Sequence, residues 1–368
     1  MVCTVFVEGR KGMRGNKGEW SEFYVLLKLL ADGKIHAADE NLKRLEKYFP
    51  IINILREENK EKNVKYVIKS VPNKIVELYI NDEKKLEIHR TRLLAYAQLL
   101  YKNIKAGGNR SFEISDMNDV MSELECEKLK APSTDKTDIT VTMHDIETGY
   151  EPVVGFSIKS ELGGAPTLLN ASKATNFVYK VKGLDDKSMD EINSIETTSK
   201  IIDRINSIYE KGGELEYSHM VNETFSDNLM FIDSNMEKLI AELLLIYFKT
   251  NISSFVDLVN LLKEQNALGY RNLMLYEDRF KRFLCSVALG MSPSKAWDGT
   301  DEANGGYIVV TESGDVLAYH LYNRDSFKEY LLNNTRLERA STSRHDYASI
   351  YKDGKDMYIN LNLQVRFK

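Results

Sequence analysis

Apolar residues recur along the chain both at helical spacing and in short strand-like runs, a pattern that predicts a mixed α/β protein. Near the start, Asn16 and Glu19 have the spacing of a capping box, and the apolar residues after them predict a helix that Asp32-Gly33 ends. The pattern also predicts helices at 39–58, 84–105 and 116–130 and strands at 65–71 and 75–80.

Two further strand-like runs, 138–144 and 150–160, are joined by a polar, glycine-containing stretch that is typical of a hairpin loop. Asp138 lies at the start of the first run. Lys159 and Glu161 lie at the end of the second run, directly before a glycine turn. These charged residues make the hairpin the first candidate for chemistry.

The second half of the chain is predicted to form a helical layer that packs against the sheet, and its aromatic residues have core spacing. The elements predicted there are a third strand at 175–181, helices at 196–210, 234–249, 252–264 and 271–290, a hairpin of 307–310 with 316–320, a helix at 326–332 and a closing strand at 357–367.

Composition narrows the class of protein. A chain of 368 residues can bury one large core or two of ordinary size. Its net charge of −5 excludes a uniformly basic surface, although a nucleic-acid enzyme needs only a local basic cleft. Cys3, Cys126 and Cys285 are far apart, which predicts neither a disulfide framework nor a cysteine zinc site. With no signal or membrane segment visible, we expect a soluble cytoplasmic protein.

Residues 8–18 are basic and rich in glycine, so they superficially resemble a phosphate-binding loop. Such a loop needs a lysine and a hydroxyl residue after its last glycine, whereas Gly18 is followed by Glu19. The stretch is better interpreted as a basic arm that touches a DNA backbone, or as an untethered surface tail.

The charged residues of the hairpin suit metal-assisted hydrolysis of a phosphodiester. Mg²⁺ prefers hard oxygen ligands and keeps several waters, so Asp138 and Glu161 suffice to hold it. Lys159 would orient the attacking water and stabilise its hydroxide form. On this pattern alone, an edge strand with a solvated lysine is at least as good an interpretation.

Longer segments change that balance. The chain has KTDI at 136–139, GFSIKSELGGAPTLLNAS at 155–172, ATNF at 174–177, GEWSE at 18–22, STSRH at 341–345 and LNLQVRF at 361–367. In these segments it resembles the HpaII family of type II restriction endonucleases. The resemblance implies an α/β (α+β) protein with a PD-(D/E)XK core, a mixed sheet flanked by helices. It also implies Mg²⁺-dependent cleavage of double-stranded DNA and a companion DNA methyltransferase.

One departure from the motif concerns the metal site. Asp138 and Lys159 match the motif directly, but the acid expected two residues before the lysine is Ser157 here. Glu161, or Glu22 on the first helix, would replace it. The resemblance thus implies a catalytic set of Asp138, Ser157, Lys159, Glu161 and Glu22, with Asp138, Glu161 and Glu22 as metal ligands.

The polar segment 333–345 is predicted to read the DNA sequence, because arginine binds guanine with two hydrogen bonds in the major groove and Ser, Thr or Asn complete such patterns. A solvated connection is the alternative. The predicted DNA-binding residues are Arg336, Arg339, Ser341, Thr342, Ser343, Arg344 and His345, together with Asn170 and Lys173.

The resemblance also bears on target and assembly. Its eponymous member cuts CCGG, which favours a short GC-rich palindrome read by a homodimer. There are two alternatives: the chain is one subunit of a two-subunit enzyme that cuts an asymmetric site, or it is an inactive DNA-binding protein, for which the missing acid at Ser157 is the reason.

We expect a helix-rich region at 1–131 that contributes to the DNA cleft. A nuclease core at 132–368 would carry a helical insertion (186–292) and a recognition region (305–368).

Overall fold

A computed structural model describes residues 12–70, 73–108, 110–130, 137–320 and 324–368. Cys3 and residues 8–11 of the predicted basic arm lie outside these ranges. The described residues form two compact units, Met1–Gly164 with Glu302–Arg324 and Ala165–Asp301 with Asp325–Lys368. In that part of the chain no helix is both long enough and apolar enough to cross a membrane. The functional regions predicted from the sequence stay predictions.

The elements follow one another along both units. The strands are β1 (Arg14–Gly15), β2 (Lys34–Ala38), β3 (Arg44–Asn59), β4 (Lys62–Lys69), β5 (Ile75–Ile80), β6 (Glu83–His89), β7 (Phe112–Glu113), β8 (Ile139–Met143), β9 (Val153–Ser160), β10 (Thr167–Leu169), β11 (Asn176–Lys182), β12 (Glu214–Met220), β13 (Gly306–Val310), β14 (Val316–His320), β15 (Thr335–Leu337), β16 (Ile350–Asp353), β17 (Asp356–Asn362) and β18 (Val365–Phe367). The helices are α1 (Lys17–Asp32), α2 (Arg90–Ala106), α3 (Asp116–Glu123), α4 (Asp186–Asn193), α5 (Lys200–Glu210), α6 (Glu223–Ile232), α7 (Met236–Thr250), α8 (Phe255–Gln265), α9 (Met274–Leu289), α10 (Arg324–Asn334) and α11 (Thr342–His345).

The first unit is organised around a mixed sheet that has, within the described ranges, nine strands in the order β2-β14-β13-β9-β8-β3-β4-β5-β6. Strand β9 lies inside this sheet, antiparallel to β8 and parallel to β13. Strand β2 pairs with β14 and also with the first half of β3. The hairpin with the candidate residues is therefore held on both sides by other strands.

Helix α1 begins and ends where the sequence predicts. The Asn16 side chain accepts a hydrogen bond from the Glu19 amide at 3.0 Å, and Glu19 accepts one from the Asn16 amide at 2.9 Å. Gly33 ends the helix with φ of 62°, a conformation that glycine adopts without strain. Trp20 and Phe23 of this helix are fully buried.

The two faces of β9 differ in character. Phe156 and Ile158 belong to the same buried core as α1, and Ser160 accepts a hydrogen bond from Ser21 of α1 at 2.8 Å. Because side chains alternate along a strand, Ser157 and Lys159 lie on the opposite face. The residues expected to perform chemistry are thus kept away from the helix-packed core.

The second unit combines two sheets with helices. One sheet has the strand order β12-β11-β17-β16 and the other β10-β18-β15. The buried Tyr179 hydroxyl on β11 donates to the carbonyl oxygen of Ala241 on α7 at 2.8 Å. The prediction of a helical layer packed against a sheet is therefore confirmed for this unit.

Several predicted elements are confirmed. The predicted hairpins β8–β9 and β13–β14 form, and β4, β5, β11, α5 and α7 to α10 occupy the predicted stretches within a few residues. Cys126 and Cys285 are buried free thiols. The mixed α/β class is also confirmed.

The predicted helix at 39–58 is wrong, because this segment contains the long strand β3. Pro50 lies in its middle, where it would remove a hydrogen bond from a helix. The β-branched residues Ile51, Ile52 and Ile54 favour a strand, and three neighbours pair with it: β2, β4 and β8. The apolar spacing of this segment suits both a helix and a strand, and the long-range pairings decide in favour of the strand.

Three other predictions need correction. The predicted helix at 84–105 begins as β6 and becomes helical only at Arg90. The predicted helix at 116–130 ends at Glu123, and the helical region 186–292 contains the strand β12. The predicted closing strand is two strands in different sheets, β17 and β18.

A buried ion pair fastens the chain after α3 to the sheet. Arg56 Nε and Glu58 Oε1 are 2.7 Å apart, with side chains 12% and 1% exposed. Glu58 also accepts a hydrogen bond from the Glu127 amide at 2.8 Å, and Arg56 donates to the Lys128 carbonyl oxygen at 2.9 Å. Both residues of the ion pair therefore also bond to the backbone of the segment that follows α3.

We expect Glu58→Ala to lower the free energy of unfolding by about 3–5 kcal/mol, because it leaves the Arg56 charge buried without a counter-charge. Chemical denaturation measures this change. The exposed pair of Glu83 and Lys85, 2.8 Å apart, supplies the control. Glu83→Ala should leave the stability almost unchanged, and an equal effect of the two substitutions would contradict the assigned role of the buried pair.

Candidate active site

Asp138 lies directly before β8, beside the middle of β9. Its amide donates to the Phe156 carbonyl oxygen at 2.8 Å. Its carboxylate oxygen Oδ2 accepts hydrogen bonds from the Ile158 amide at 2.6 Å and from the Ser157 hydroxyl at 3.2 Å. The Ile158 amide would otherwise continue the backbone hydrogen bonds between β8 and β9. The side chain of Asp138 accepts its hydrogen bond instead, which ends the pairing of the two strands and fixes the Asp138 carboxylate.

Lys159 follows Ser157 on the same face of β9, about one pleat repeat of roughly 6.6 Å further along the strand. It lies opposite Val309 in the parallel pairing with β13. Its Nζ atom is 5.7 Å from the centre of the Tyr307 ring, within the range of a cation–π contact. The structure therefore brings Asp138, Ser157 and Lys159 together at one end of the hairpin.

A clamp that the sequence did not reveal holds this end of the hairpin. The Thr137 hydroxyl donates to the Glu302 carbonyl oxygen at 3.0 Å, and Asn304 Oδ1 accepts from the Gly155 amide at 2.8 Å. A Cβ atom on Gly155 would lie 2.6 Å from the Thr137 methyl group, so only glycine fits there. Because residues 302–305 are about 150 positions away in sequence, no local signal marks Asn304 as a partner of this site.

Glu161 lies just beyond the end of β9. Its amide still donates to the Val310 carbonyl oxygen at 2.9 Å, which extends the pairing with β13 by one residue. Its carboxylate accepts a hydrogen bond from the Glu312 amide at 3.2 Å. Burial raises the pKa of Glu161, although the hydrogen bond from the Glu312 amide opposes this.

Glu22 lies on α1, the helix that packs on the opposite face of β9 from Ser157 and Lys159. Its negative charge acts on Lys130, whose pKa is raised by the hydrogen bond to Glu19 and by both glutamates. Of the two candidates for the second carboxylate, Glu161 directly follows the strand that carries Lys159, whereas Glu22 lies on α1.

The donor atoms at this end of the hairpin suit a hard divalent cation. Asp138 and Ser157 offer oxygen atoms alone, and Glu161 offers a further carboxylate two pleat repeats, roughly 13 Å, beyond Ser157 along β9. Mg²⁺ needs only one or two carboxylates because it keeps several waters. Within the described ranges no group of three or more His, Cys, Asp or Glu side chains is arranged to hold a metal ion. The oxygen donors present are of the kind that a hard divalent cation prefers.

The predicted DNA-binding residues lie in the second unit and fall into two groups. Arg336 and Arg339 have partners within the protein, Glu338 at 3.9 Å and the Asn251 side chain respectively. Ser341, Ser343 and Arg344 are exposed around the short helix α11, where Thr342 and His345 are half-buried. Asn170 and Lys173 are exposed on the segment before β11.

The similarity of this chain to known proteins extends over nearly all of the helices and strands described above. The family described as HpaII restriction endonuclease matches residues 16–367. The type II restriction enzyme HpaII of Haemophilus parainfluenzae is 41% identical over 357 residues, which are 96% of this chain and 98% of that protein. No solved structure matches the chain.

The matched region includes the hairpin with Asp138 and Lys159, the clamp at 302–305 and the segment around Arg344. The predicted family and the predicted enzyme class are thereby confirmed. This chain belongs to the HpaII restriction endonuclease family and is a type II restriction endonuclease, a site-specific deoxyribonuclease that acts on double-stranded DNA.

Proposed function

We propose that the enzyme hydrolyses DNA with Mg²⁺ at the β8–β9 hairpin, using Asp138 and Lys159 in a PD-(D/E)XK arrangement. The observation that carries this proposal is the pair of hydrogen bonds that the Asp138 carboxylate accepts from Ile158 and Ser157. They hold Asp138 beside Ser157 of the adjacent strand, and Lys159 lies two residues further along that strand. This arrangement of an acid and a lysine on adjacent strands supports the assignment to the PD-(D/E)XK motif.

Asp138 would bind the metal ion directly, and Glu161, two pleat repeats or roughly 13 Å beyond Ser157 along β9, would act on the ion through one of its bound waters. A bound Mg²⁺ lowers the pKa of the attacking water and neutralises the charge that develops on the phosphate. Lys159 would hold the attacking oxygen in its anionic form, since an ammonium group stabilises the charge that develops there. Ser157 donates a hydrogen bond to Asp138 and thereby helps to fix the orientation of that carboxylate. The expected products have a 5′-phosphate and a 3′-hydroxyl.

Glu161 is the better supported of the two candidates for the second carboxylate. It continues the strand that carries Lys159. The alternation of side chains along a strand places residue 161 on the same face as Ser157 and Lys159. The burial that raises the pKa of Glu161 favours a proton or a cation at this position. Glu22 belongs to the helix on the other face of β9.

For recognition we propose the segment 341–345 with Arg344 as the main reader of guanine. Arg344 is exposed, whereas Arg336 and Arg339 are engaged within the protein and would serve chiefly to hold the segment. Lys173, which is 3.5 Å from Asp346, would contact the DNA backbone close to it. Asn170 is exposed three residues before the short helix at Lys173–Thr175 and would contact the DNA as well.

The proposed target is CCGG or a closely related GC-rich palindrome, cut by a homodimer in which each subunit acts on one strand. A companion methyltransferase would protect the same site in the host DNA. Sequencing the ends of DNA cut by the purified enzyme tests target, cut position and symmetry together. Ends that map to an asymmetric sequence would favour a two-subunit arrangement instead.

Lys159→Ala should lower kcat for DNA cleavage by about 10²–10³-fold while DNA binding is kept, because a positive charge is lost where the anionic oxygen attacks. Single-turnover cleavage and a binding assay measure the two quantities. Lys65→Ala is the matched control, because Lys65 on β4 lies on the same face of the same sheet. Equal losses in the two variants would exclude a direct role for Lys159.

Glu161→Gln should raise the Mg²⁺ concentration needed for half-maximal cleavage more than Glu22→Gln does. Since the pKa of Glu161 is raised, its proton competes with the metal at higher pH than for an ordinary glutamate. The required Mg²⁺ concentration should therefore increase as the pH falls in the wild type and in Glu22→Gln, but less in Glu161→Gln. Metal titrations of cleavage at several pH values measure this, and the reverse ranking would assign the ligand to Glu22.

Arg344→Ala should reduce the preference for the target over a duplex with one changed base pair by about 5- to 150-fold, the range of 1–3 kcal/mol for one bidentate contact. Binding to unrelated DNA should change little. Arg271→Ala, at another exposed arginine of the second unit, is the control. A uniform loss of affinity across sequences would assign Arg344 to phosphate contacts.

A further inference from the structure

Three asparagines lie at the end of the four-stranded sheet in the second unit. Asn176 and Asn362 are directly opposite each other in the pairing of β11 with β17, and they are 1% and 3% exposed. Asn360 lies two residues before Asn362 and therefore on the same face. Buried asparagine amides at the end of a rigid ladder are well placed to fix neighbouring loops.

Two of these amides hold the end of α11. Asn176 Nδ2 donates to the carbonyl oxygens of His345 at 2.9 Å and Asp346 at 3.3 Å. Asn360 Nδ2 donates to the Asp346 oxygen at 3.2 Å. A helix of one turn cannot satisfy its own last carbonyl groups. The sheet therefore satisfies them, and in doing so it sets the position of the turn that carries Arg344.

The third amide holds the other exposed segment. Asn362 Nδ2 donates to the Ser172 carbonyl oxygen at 2.8 Å and to Asn176 Oδ1 at 2.6 Å. Residues 170–175 and 341–346 are thus connected through two asparagines in direct contact. The buried Oδ1 atom of Asn362 has no hydrogen-bond partner among the described residues.

We propose that Asn176 and Asn362 are positioning residues for sequence readout, holding 170–175 and 341–346 in one fixed geometry toward the DNA. This inference rests on the proposed role of those two segments in recognition. A contact with a base edge requires placement to within about 0.5 Å, while a phosphate contact tolerates more displacement. Loosening the asparagine pair should therefore reduce sequence preference before it reduces general DNA affinity.

Asn176→Asp is the decisive variant, because it keeps the size of the side chain and places a carboxylate against two carbonyl oxygens. We expect the ratio of kcat/KM for the target to that for a duplex with one changed base pair to fall at least about tenfold, equivalent to about 1.4 kcal/mol. Affinity for unrelated DNA should stay within about twofold of the wild type.

Asn228→Asp is the matched control. Asn228 on α6 is also 1% exposed, and its amide donates to the carbonyl oxygens of Ser292 at 3.0 Å and Lys295 at 2.8 Å. The same chemical change at the same burial thus affects a loop outside both predicted recognition segments. This variant should lose a similar amount of thermal stability and keep the sequence preference of the wild type.

Asn360→Ala provides an independent test if Asn176→Asp does not fold, because Asn360 is only half-buried. It should lower the preference about threefold with an unchanged Tm. An unchanged preference in a folded Asn176→Asp, or in Asn360→Ala where the former does not fold, overturns the inference, as does an equal loss in Asn228→Asp. If Arg344→Ala lowers the preference in the same assay and these variants do not, only the positioning role is wrong. If Arg344→Ala leaves the preference unchanged, the proposed recognition segment is wrong and the inference with it.

Discussion

The hydrogen bond from the Ile158 amide to the Asp138 carboxylate is the constraint on which the arrangement of the hairpin depends. One side chain both ends the ladder between β8 and β9 and supplies the acid next to Lys159. Its position is therefore determined by backbone pairing rather than by a free rotamer, so in the proposed site its side chain would lose little conformational entropy when a substrate binds. The clamp formed by Thr137, Gly155 and Asn304 restrains the same few atoms from the other side.

Ser157 also has an electrostatic consequence. A carboxylate at this position would face Asp138 within hydrogen-bonding range, and two carboxylates so close repel each other and raise the pKa of one of them. With serine there, Asp138 gains a hydrogen-bond donor instead. In the proposed arrangement the second acid, Glu161, lies further along β9, at the end of the strand. The site thus separates its negative charges along the strand instead of concentrating them on two adjacent strands.

The sequence predicted the parts of the structure that depend on neighbouring residues. The capping box at Asn16, the hairpin of β8 with β9 and the pairing of β13 with β14 all have local signals, and all three are confirmed. The strand β3 was predicted as a helix because its apolar spacing suits both periods, and only its distant partners decide. Asn304, Asn176 and Asn362 were not singled out for the same reason. Their importance lies in contacts with residues some 150 to 190 positions away.

The position of β13 in the sheet has a consequence for when the enzyme becomes competent during synthesis. Strand β9 needs β13 as its neighbour, yet residues 165–301, which belong to the other unit, separate the two strands in the chain. Until residue 310 has left the ribosome, one edge of β9 is unpaired and the Gly155 amide lacks Asn304 as its acceptor. A shorter nascent chain therefore has an incomplete β8–β9 hairpin, and the order of the elements along the chain delays completion of the proposed nuclease site until most of the sequence has been synthesised.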